Sequence, residues 1–242
     1  MAIPEPWLIL PTYNEAENIE PFVDAVSEML PAGSRILIVD DGSPDGTGEI
    51  ADRLAAQREN LSVMHRPRKE GLGPAYVAGF RAALAGGADL IVEMDADFSH
   101  EPAYLPRLLE AAERADLVIG SRYVDGGGVG DWGRLRRAIS RGGSAYARLV
   151  LGVGVTDLTA GFKCFRREVL EAIDLDTIQS KGYAFQVELT YRAIQHGFRV
   201  VEVPIVFRDR RVGTSKMSRR IVAEAIWRVP LLRFNRKRSG RR

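Results

Sequence analysis

The stretch Leu90-Ile91-Val92-Glu93-Met94-Asp95-Ala96-Asp97 is an apolar run that ends on two carboxylates. Such a run predicts a strand buried on both faces, with its carboxyl end opening into a polar crevice. The same design recurs earlier in the chain. Trp7-Leu8-Ile9-Leu10 is followed by Pro11-Thr12-Tyr13-Asn14-Glu15, and Arg35 to Val39 by Asp40-Asp41-Gly42-Ser43. Between these runs, apolar residues fall at helical spacing: Ile19, Phe22, Val23, Val26 and Leu30, then Ile50, Leu54 and Ala55, then Tyr76 to Leu84. Leu61 to His65 and Leu117-Val118-Ile119 read as further strands, with a helix through Tyr104, Leu105, Leu108 and Leu109 between them. Strands alternating with amphipathic helices predict an α/β fold, a mostly parallel central sheet with helices on both faces.

The second half is less regular. Gly126-Gly127-Gly128-Val129-Gly130 reads as a loop. Helices are predicted over Leu135 to Leu151 and Ala184 to His196, and strands over Phe162 to Phe165 and Arg199 to Phe207. A C-terminal amphipathic helix from about Ser218 to Phe234 places Ile221, Val222, Ala225, Ile226, Val229 and Leu232 on one face. The expected division is a catalytic domain over 1–216, the amphipathic helix over 217–235 and a disordered basic tail over 236–242.

Composition narrows the function classes. The chain has 242 residues, 34 Lys+Arg against 32 Asp+Glu, and one cysteine. A lone Cys164 excludes an intrachain disulfide and fits a reducing compartment. Residues 1–6 lack the basic and apolar regions of a secretory signal, and no apolar run reaches the roughly 20 residues of a membrane span. The net charge of +2 hides an asymmetry: residues 208–242 carry +11 and the remainder −9. A basic end on an acidic body points to an anionic partner such as a membrane surface. No folded basic recognition motif is present, so nucleic acid is not expected as a partner.

Three polar clusters at the carboxyl ends of predicted parallel strands mark one ligand crevice. In Asp95-Ala96-Asp97, residues i and i+2 of an extended backbone would point the same way, so both carboxylates could face one ion. Carboxylates suit hard cations such as Mg²⁺ or Mn²⁺, which bridge to phosphates. Gly71-Leu72-Gly73 is only a fragment of a dinucleotide fingerprint and reads as a loop and helix start, so no nicotinamide cofactor is expected. His100 lies near Asp97 in sequence and reads equally as a site residue or as a surface histidine before a helix. Cys164, within an apolar strand, reads as a buried structural thiol. Arg122, Arg136, Arg141, Arg210 and Lys216 recur beyond the sheet, interleaved with glycine loops, in a pattern suited to phosphate contacts.

These motifs in order resemble the polyprenol- or dolichol-phosphate mannose synthases of glycosyltransferase family 2. The resemblance rests on Pro11 to Glu15, Val39 to Thr47, Met94 to His100, Gly120 to Tyr123, Trp132 to Arg136, Ile139 to Gly142, Asp157 to Phe162, Gly182 to Glu188 and Gly213 to Lys216. It implies a GT-A type fold and transfer of mannose from GDP-mannose to a membrane polyprenyl or dolichyl phosphate, with inversion. By position it implies that Pro11, Tyr13, Glu15, Val39 and Asp41 hold the nucleoside. Asp95, Ala96 and Asp97 would meet the diphosphate, with Asp95 and Asp97 binding Mg²⁺ or Mn²⁺. Arg122 and Arg136 would bind the lipid phosphate, while Arg210 and Lys216 close over the phosphates. Asp97, Arg122 and Arg136 are thus the expected catalytic residues. Where some relatives carry Gln two residues after the second aspartate, this chain has Ser99. It resembles the short branch without C-terminal spans, whose members need a membrane-spanning partner protein or an amphipathic contact, here at the cytoplasmic face of a membrane. The residues alone leave base and sugar open. UDP-glucose onto the same lipid is the enzymatic alternative, and a non-catalytic nucleotide-sugar-binding module is the alternative of a different class. The intact acid pair speaks against the latter.

Overall fold

The computed structural model describes residues 5–130, 132–178, 180, 182–209 and 227–234. Its first half alternates as the sequence predicts: strands β1 (Pro6–Thr12), β2 (Arg35–Asp40), β3 (Leu61–His65) and β4 (Leu90–Glu93) are separated by helices α1 (Ile19–Met29), α2 (Thr47–Ala55) and α3 (Leu72–Ala85). Helix α4 (Leu105–Ala112) leads to β5 (Leu117–Ser121), and a two-residue β6 (Gly128–Val129) precedes α5 (Arg134–Leu151). Then come β7 (Lys163–Arg166), α6 (Arg167–Ala172), α7 (Gly182–Gln195), β8 (Val200–Pro204) and β9 (Val206–Phe207). Residues 227–234 are helical and are labelled α8.

The seven-stranded sheet runs β3-β2-β1-β4-β7-β5-β8. All pairings in it are parallel except those of β7, which lies antiparallel between β4 and β5. Alternate residues of β1 feed two separate cores. Trp7 and Ile9 join the layer with Tyr76, Phe80 and Phe185, whereas Leu8 and Leu10 join the layer with Phe22, Leu54 and Leu108. Two covered faces explain why the strand sequences are apolar throughout rather than alternating. On the first face α3 presses directly on the sheet: a Cβ at Gly79 would lie 2.4 Å from Ile9 Cγ2, so only glycine fits.

Two readings of the second half need correction. The glycine stretch is not wholly a loop, because Gly128 and Val129 pair in parallel with Val206 and Phe207 as a separate small sheet. The strand predicted over Arg199 to Phe207 is correspondingly broken at Ile205: β8 stays in the main sheet and β9 leaves it. The proposed boundary at 216/217 and the tail from 236 lie outside the described residues.

In α8, Val229 is buried and Leu232 packs on the first core, and Arg233 Nη1 donates to Val150 O of α5 at 2.6 Å. That predicted apolar face, in its described part, packs on the domain. Among the described residues the exposed large apolar groups are Trp227, Leu231 and Phe234 on α8 and Leu135, Ile139 and Leu149 on α5. No helix among the described residues is long and apolar enough to cross a membrane.

Candidate active site

The strand order turns at β1: β2 and β3 extend to one side, β4 to the other. In an open α/β sheet that reversal leaves a crevice at the carboxyl ends of the strands. The three polar clusters meet there. Pro11 lies opposite Val39 in the β1–β2 register, and Asp41 N donates to Thr12 O at 3.0 Å. Met94 N donates to Ile9 O at 3.4 Å, fastening the start of the acidic bend to β1.

The predicted nucleoside residues are built into this floor. Pro11 and Tyr13 are half-buried; Val39, Glu15 and Asp41 are buried. Lys69 Nζ stands 3.8 Å from the Tyr13 ring centroid, a cation–π contact. Glu15 Oε2 accepts from Asn18 Nδ2 at 2.9 Å, and the Glu15 backbone N donates to Thr47 Oγ1 at 2.9 Å. Asp41 pairs with Arg66 and also accepts from the backbone N of Glu70 and of Gly71, at 3.3 Å each. It thereby ties the loop before α3 to the end of β2. Asp45 organises the neighbouring turn. Burial alone would raise its pKa, but bonds from Thr47 and from the Ala16 backbone hold it below the usual carboxylate value.

Asp95 and Asp97 differ from the sequence expectation in one respect. The strand stops at Glu93, so the pair lies on a bend rather than on extended backbone. Phe98 adopts a left-handed φ of +61°, held by an edge-on contact with Phe22 at 4.9 Å. A bulky residue in that region is strained, and its persistence here fixes the bend. Tyr76 Oη donates to Asp95 Oδ1 at 3.3 Å, while Asp97 Oδ1 accepts from Ser99 N at 2.9 Å. Burial, reinforced by Asp95 and Glu93, pushes the Tyr76 phenol well above its ordinary pKa, so it serves as a neutral donor. Ala96 is buried between the two acids. Among the described residues no set of three acid, histidine or thiol groups forms a closed metal cage. Two carboxylates alone still suit Mg²⁺ or Mn²⁺, which keep water and complete their shells with substrate phosphates.

His100 is a buried group, not the surface residue of the alternative reading. Its ring packs against Phe162 and Phe207, at 5.4 and 5.0 Å. Burial pushes its pKa down to about 4, against the pull of Asp97, so it is neutral at pH 7. Cys164 is buried as expected, and burial pushes its thiol up to about 12.

Arg122 and Arg136 flank one aromatic patch. Arg122 Cζ lies 5.6 Å from the Phe207 ring, which meets Trp132 edge-on at 5.4 Å; Arg136 Cζ stacks 4.1 Å over Trp132. Arg136 Nη1 and Trp132 Nε1 both donate to Asp209 Oδ1, at 2.5 and 3.0 Å. Arg122 is held more firmly than its sequence position implied. Its Nε and Nη2 clamp the two oxygens of Asp157 at 2.7 Å each, and Nη2 also reaches Thr159 Oγ1 at 2.8 Å. Nη1 is the guanidinium nitrogen engaged by neither. Burial opposes both charges, yet the pair raises the pKa of Arg122 and depresses that of Asp157. Asp157 was missed by chemical reading of the sequence, although it stands in a matched motif. Arg210 and Lys216 lie outside the described residues.

The fold is of the GT-A type, and the chain belongs to glycosyl transferase family 2, whose sequence profile matches residues 7–174. It is a glycosyltransferase. An undecaprenyl-phosphate mannosyltransferase of Micrococcus luteus is 53% identical over 91% of this chain and 90% of its own length. A polyprenol monophosphomannose synthase of Mycolicibacterium smegmatis is 54% identical over 92% of this chain and 84% of its own. Among solved structures, glucosyl-3-phosphoglycerate synthase from Mycobacterium tuberculosis, in complex with Mn²⁺, UDP and glucosyl-3-phosphoglycerate, has the same fold. The TM-score is 0.69 at 22% identity, over 94% of this chain and 81% of that one.

Proposed function

We propose that the chain transfers mannose from GDP-mannose to a polyprenyl phosphate, with inversion at the anomeric carbon, releasing GDP. The observation that carries this reading is the acidic bend at the sheet crevice with the buried, clamped Arg122 nearby: His100, three residues after Asp97, packs on the Phe207 ring that Arg122 also faces. Both substrates are anions, and the site supplies what two mutually repelling anions need in order to meet. Asp95 and Asp97 would hold Mg²⁺ or Mn²⁺. When bound, that ion neutralises charge developing on the leaving diphosphate.

The chain's own groups do the rest. Pro11, Tyr13, Glu15, Val39 and Asp41 seat the nucleoside at the ends of β1 and β2. Arg122, clamped in one orientation by Asp157, presents Nη1 to the acceptor phosphate, and Arg136 provides a second cation from its Trp132 stack. Arg210 and Lys216, outside the described residues, are assigned to the phosphates by the motif resemblance alone. A phosphate monoester is anionic at pH 7, its second pKa being about 6. No general base is therefore required, in keeping with a neutral His100. The first test is incubation with labelled GDP-mannose, Mg²⁺ or Mn²⁺ and a short polyprenyl phosphate. Organic-extractable label is expected from GDP-mannose; label arising only from UDP-glucose would reassign the donor, and none from either would reject the reaction.

The lipid acceptor implies work at a membrane surface, peripherally and at the cytoplasmic face. Trp227, Leu231 and Phe234 on α8 and Leu135 and Ile139 on α5 are exposed apolar groups among many arginines, a composition suited to an anionic bilayer interface. The full chain is expected to co-sediment with anionic liposomes. Joint replacement of Trp227, Leu231 and Phe234 by serine should weaken that binding by more than about tenfold, since each buried apolar side chain contributes on the order of 1.5–3 kcal/mol. Unchanged binding removes α8 from the account.

A further inference from the structure

Strand β9 belongs to neither of the two charged clusters, yet both are fastened to it. On one edge, Val206 N donates to Tyr104 Oη at 3.1 Å and Arg208 N to Ser99 O at 3.0 Å, and Arg208 pairs with Glu101. Ser99, Glu101 and Tyr104 lie on the segment that directly follows Asp97. On the other edge, Gly128 N donates to Ile205 O at 2.9 Å and Gly130 N to Phe207 O at 2.7 Å. That loop leads to Trp132 and then to Arg136 on α5. The two edges alternate residue by residue, as extended backbone dictates.

The Phe207 ring stands where the clusters approach one another. It meets His100 edge-on at 5.0 Å and Trp132 edge-on at 5.4 Å, and Arg122 Cζ lies 5.6 Å from its centroid. Two residues further on, Asp209 accepts from Trp132 Nε1 and Arg136 Nη1. Arg122 takes its orientation from the Asp157 clamp. Arg136 has no such clamp in the core. The buried residues of α5 are Ser144, Ala147 and Leu151, all beyond its first two turns, and Leu135 and Ile139 beside Arg136 are exposed. The turn that carries Arg136 is therefore located by Trp132 and Asp209, one packed on β9 and the other following it. A displacement of about 1 Å between reacting groups can cost a hundredfold in rate, so a part that sets their spacing matters to the chemistry.

We propose that Phe207 is a positioning residue of the transfer reaction: its ring holds Arg136, through Trp132, at a fixed distance from the acidic bend, through His100. This rests on the reading of Arg136 as a ligand of the acceptor phosphate.

The test is a double-mutant cycle on the full chain with Phe207→Leu, Arg136→Ala and the two combined, and with Phe207→Tyr as the conservative variant. Short polyprenyl phosphate is varied at saturating Mg²⁺ and GDP-mannose, or UDP-glucose if the unmodified chain uses that donor. Affinity for the matching nucleoside diphosphate is measured by titration calorimetry. Phe207→Leu keeps an apolar side chain at a half-buried position but removes the flat ring. It should raise the KM for lipid phosphate about tenfold, the order of one lost charged contact. Nucleoside diphosphate affinity should stay within about twofold, and Phe207→Tyr, which keeps the ring, should retain a KM within about twofold of the unmodified chain. In the Arg136→Ala background Phe207→Leu should add less than about twofold, because the group it positions is gone. A merely structural ring predicts otherwise: multiplied losses in the double variant, or nucleoside diphosphate affinity falling with the rest. Either result, an unaltered KM in Phe207→Leu, or a Phe207→Tyr variant no better than Phe207→Leu, overturns the assignment. If Arg136→Ala alone leaves the lipid-phosphate KM unchanged, the acceptor reading of Arg136 fails first and the proposal falls with it. A raised KM in Arg136→Ala with independent losses in the double variant rejects the role of Phe207 alone.

Discussion

Asp97→Ala is expected to lower mannose transfer about a thousandfold while leaving the fold intact. That factor corresponds to roughly 4 kcal/mol, the order expected when a divalent cation loses an anchoring carboxylate at a leaving diphosphate. The structural cost is smaller. Asp97 Oδ1 accepts from Ser99 N, and losing that one bond costs about 1 kcal/mol. Asp97→Asn keeps an oxygen for Ser99 N but removes the charge, so it should lose transfer to a similar extent with even less effect on stability. Label transfer and thermal melting measured together check the pair. Wild-type turnover in either variant would reject the metal role of this residue.

The second large effect concerns stability. Asp157→Ala should cost about 3–5 kcal/mol, because it strands the buried Arg122 guanidinium without its partner. For a chain of this size that is a fall in melting temperature of roughly 10 °C. Asp157 has a folded-state pKa below its unfolded value, so the contribution of the pair is complete at neutral pH. It fades as pH falls below the ordinary carboxylate range and through the folded pKa. The wild type should therefore lose, on acidification, a stabilisation that Asp157→Asn lacks already. In a variant that still folds, such as Arg122→Lys, the KM for lipid phosphate should rise more than that for nucleotide sugar. Equal effects on both substrates would argue against the acceptor role of Arg122.

The first half of the fold is legible in the sequence because β1, β2 and β4 are buried on both faces and each ends in a polar turn. Trp7 to Leu10, Arg35 to Val39 and Leu90 to Met94 need no tertiary knowledge to be read. The insertion of β7 is different: four residues, Lys163 to Arg166, carry no signal of direction. Glu93 within an otherwise apolar run does carry a signal, since a charge in a doubly covered strand requires a buried partner. Its partner, Lys163, is 70 residues away and is named only by the register. The acidic pair does follow the carboxyl end of β4, but the bend on which it lies brings Phe98 against Phe22, a contact between distant segments. Arg122 reads as a surface phosphate ligand until Asp157 is brought beneath it.

The antiparallel β7 has a consequence for biosynthesis. As the polypeptide emerges from the ribosome, β1 to β4 can assemble in order, but β5 cannot dock on β4, because the slot between them is reserved for residues synthesised some 40 positions later. The exposed rim of β4, which includes the backbone of Glu93, stays open until Lys163 to Arg166 arrive and fill it. Nascent chains halted before that point would display an unpaired strand rim, the kind of surface that chaperones must shield.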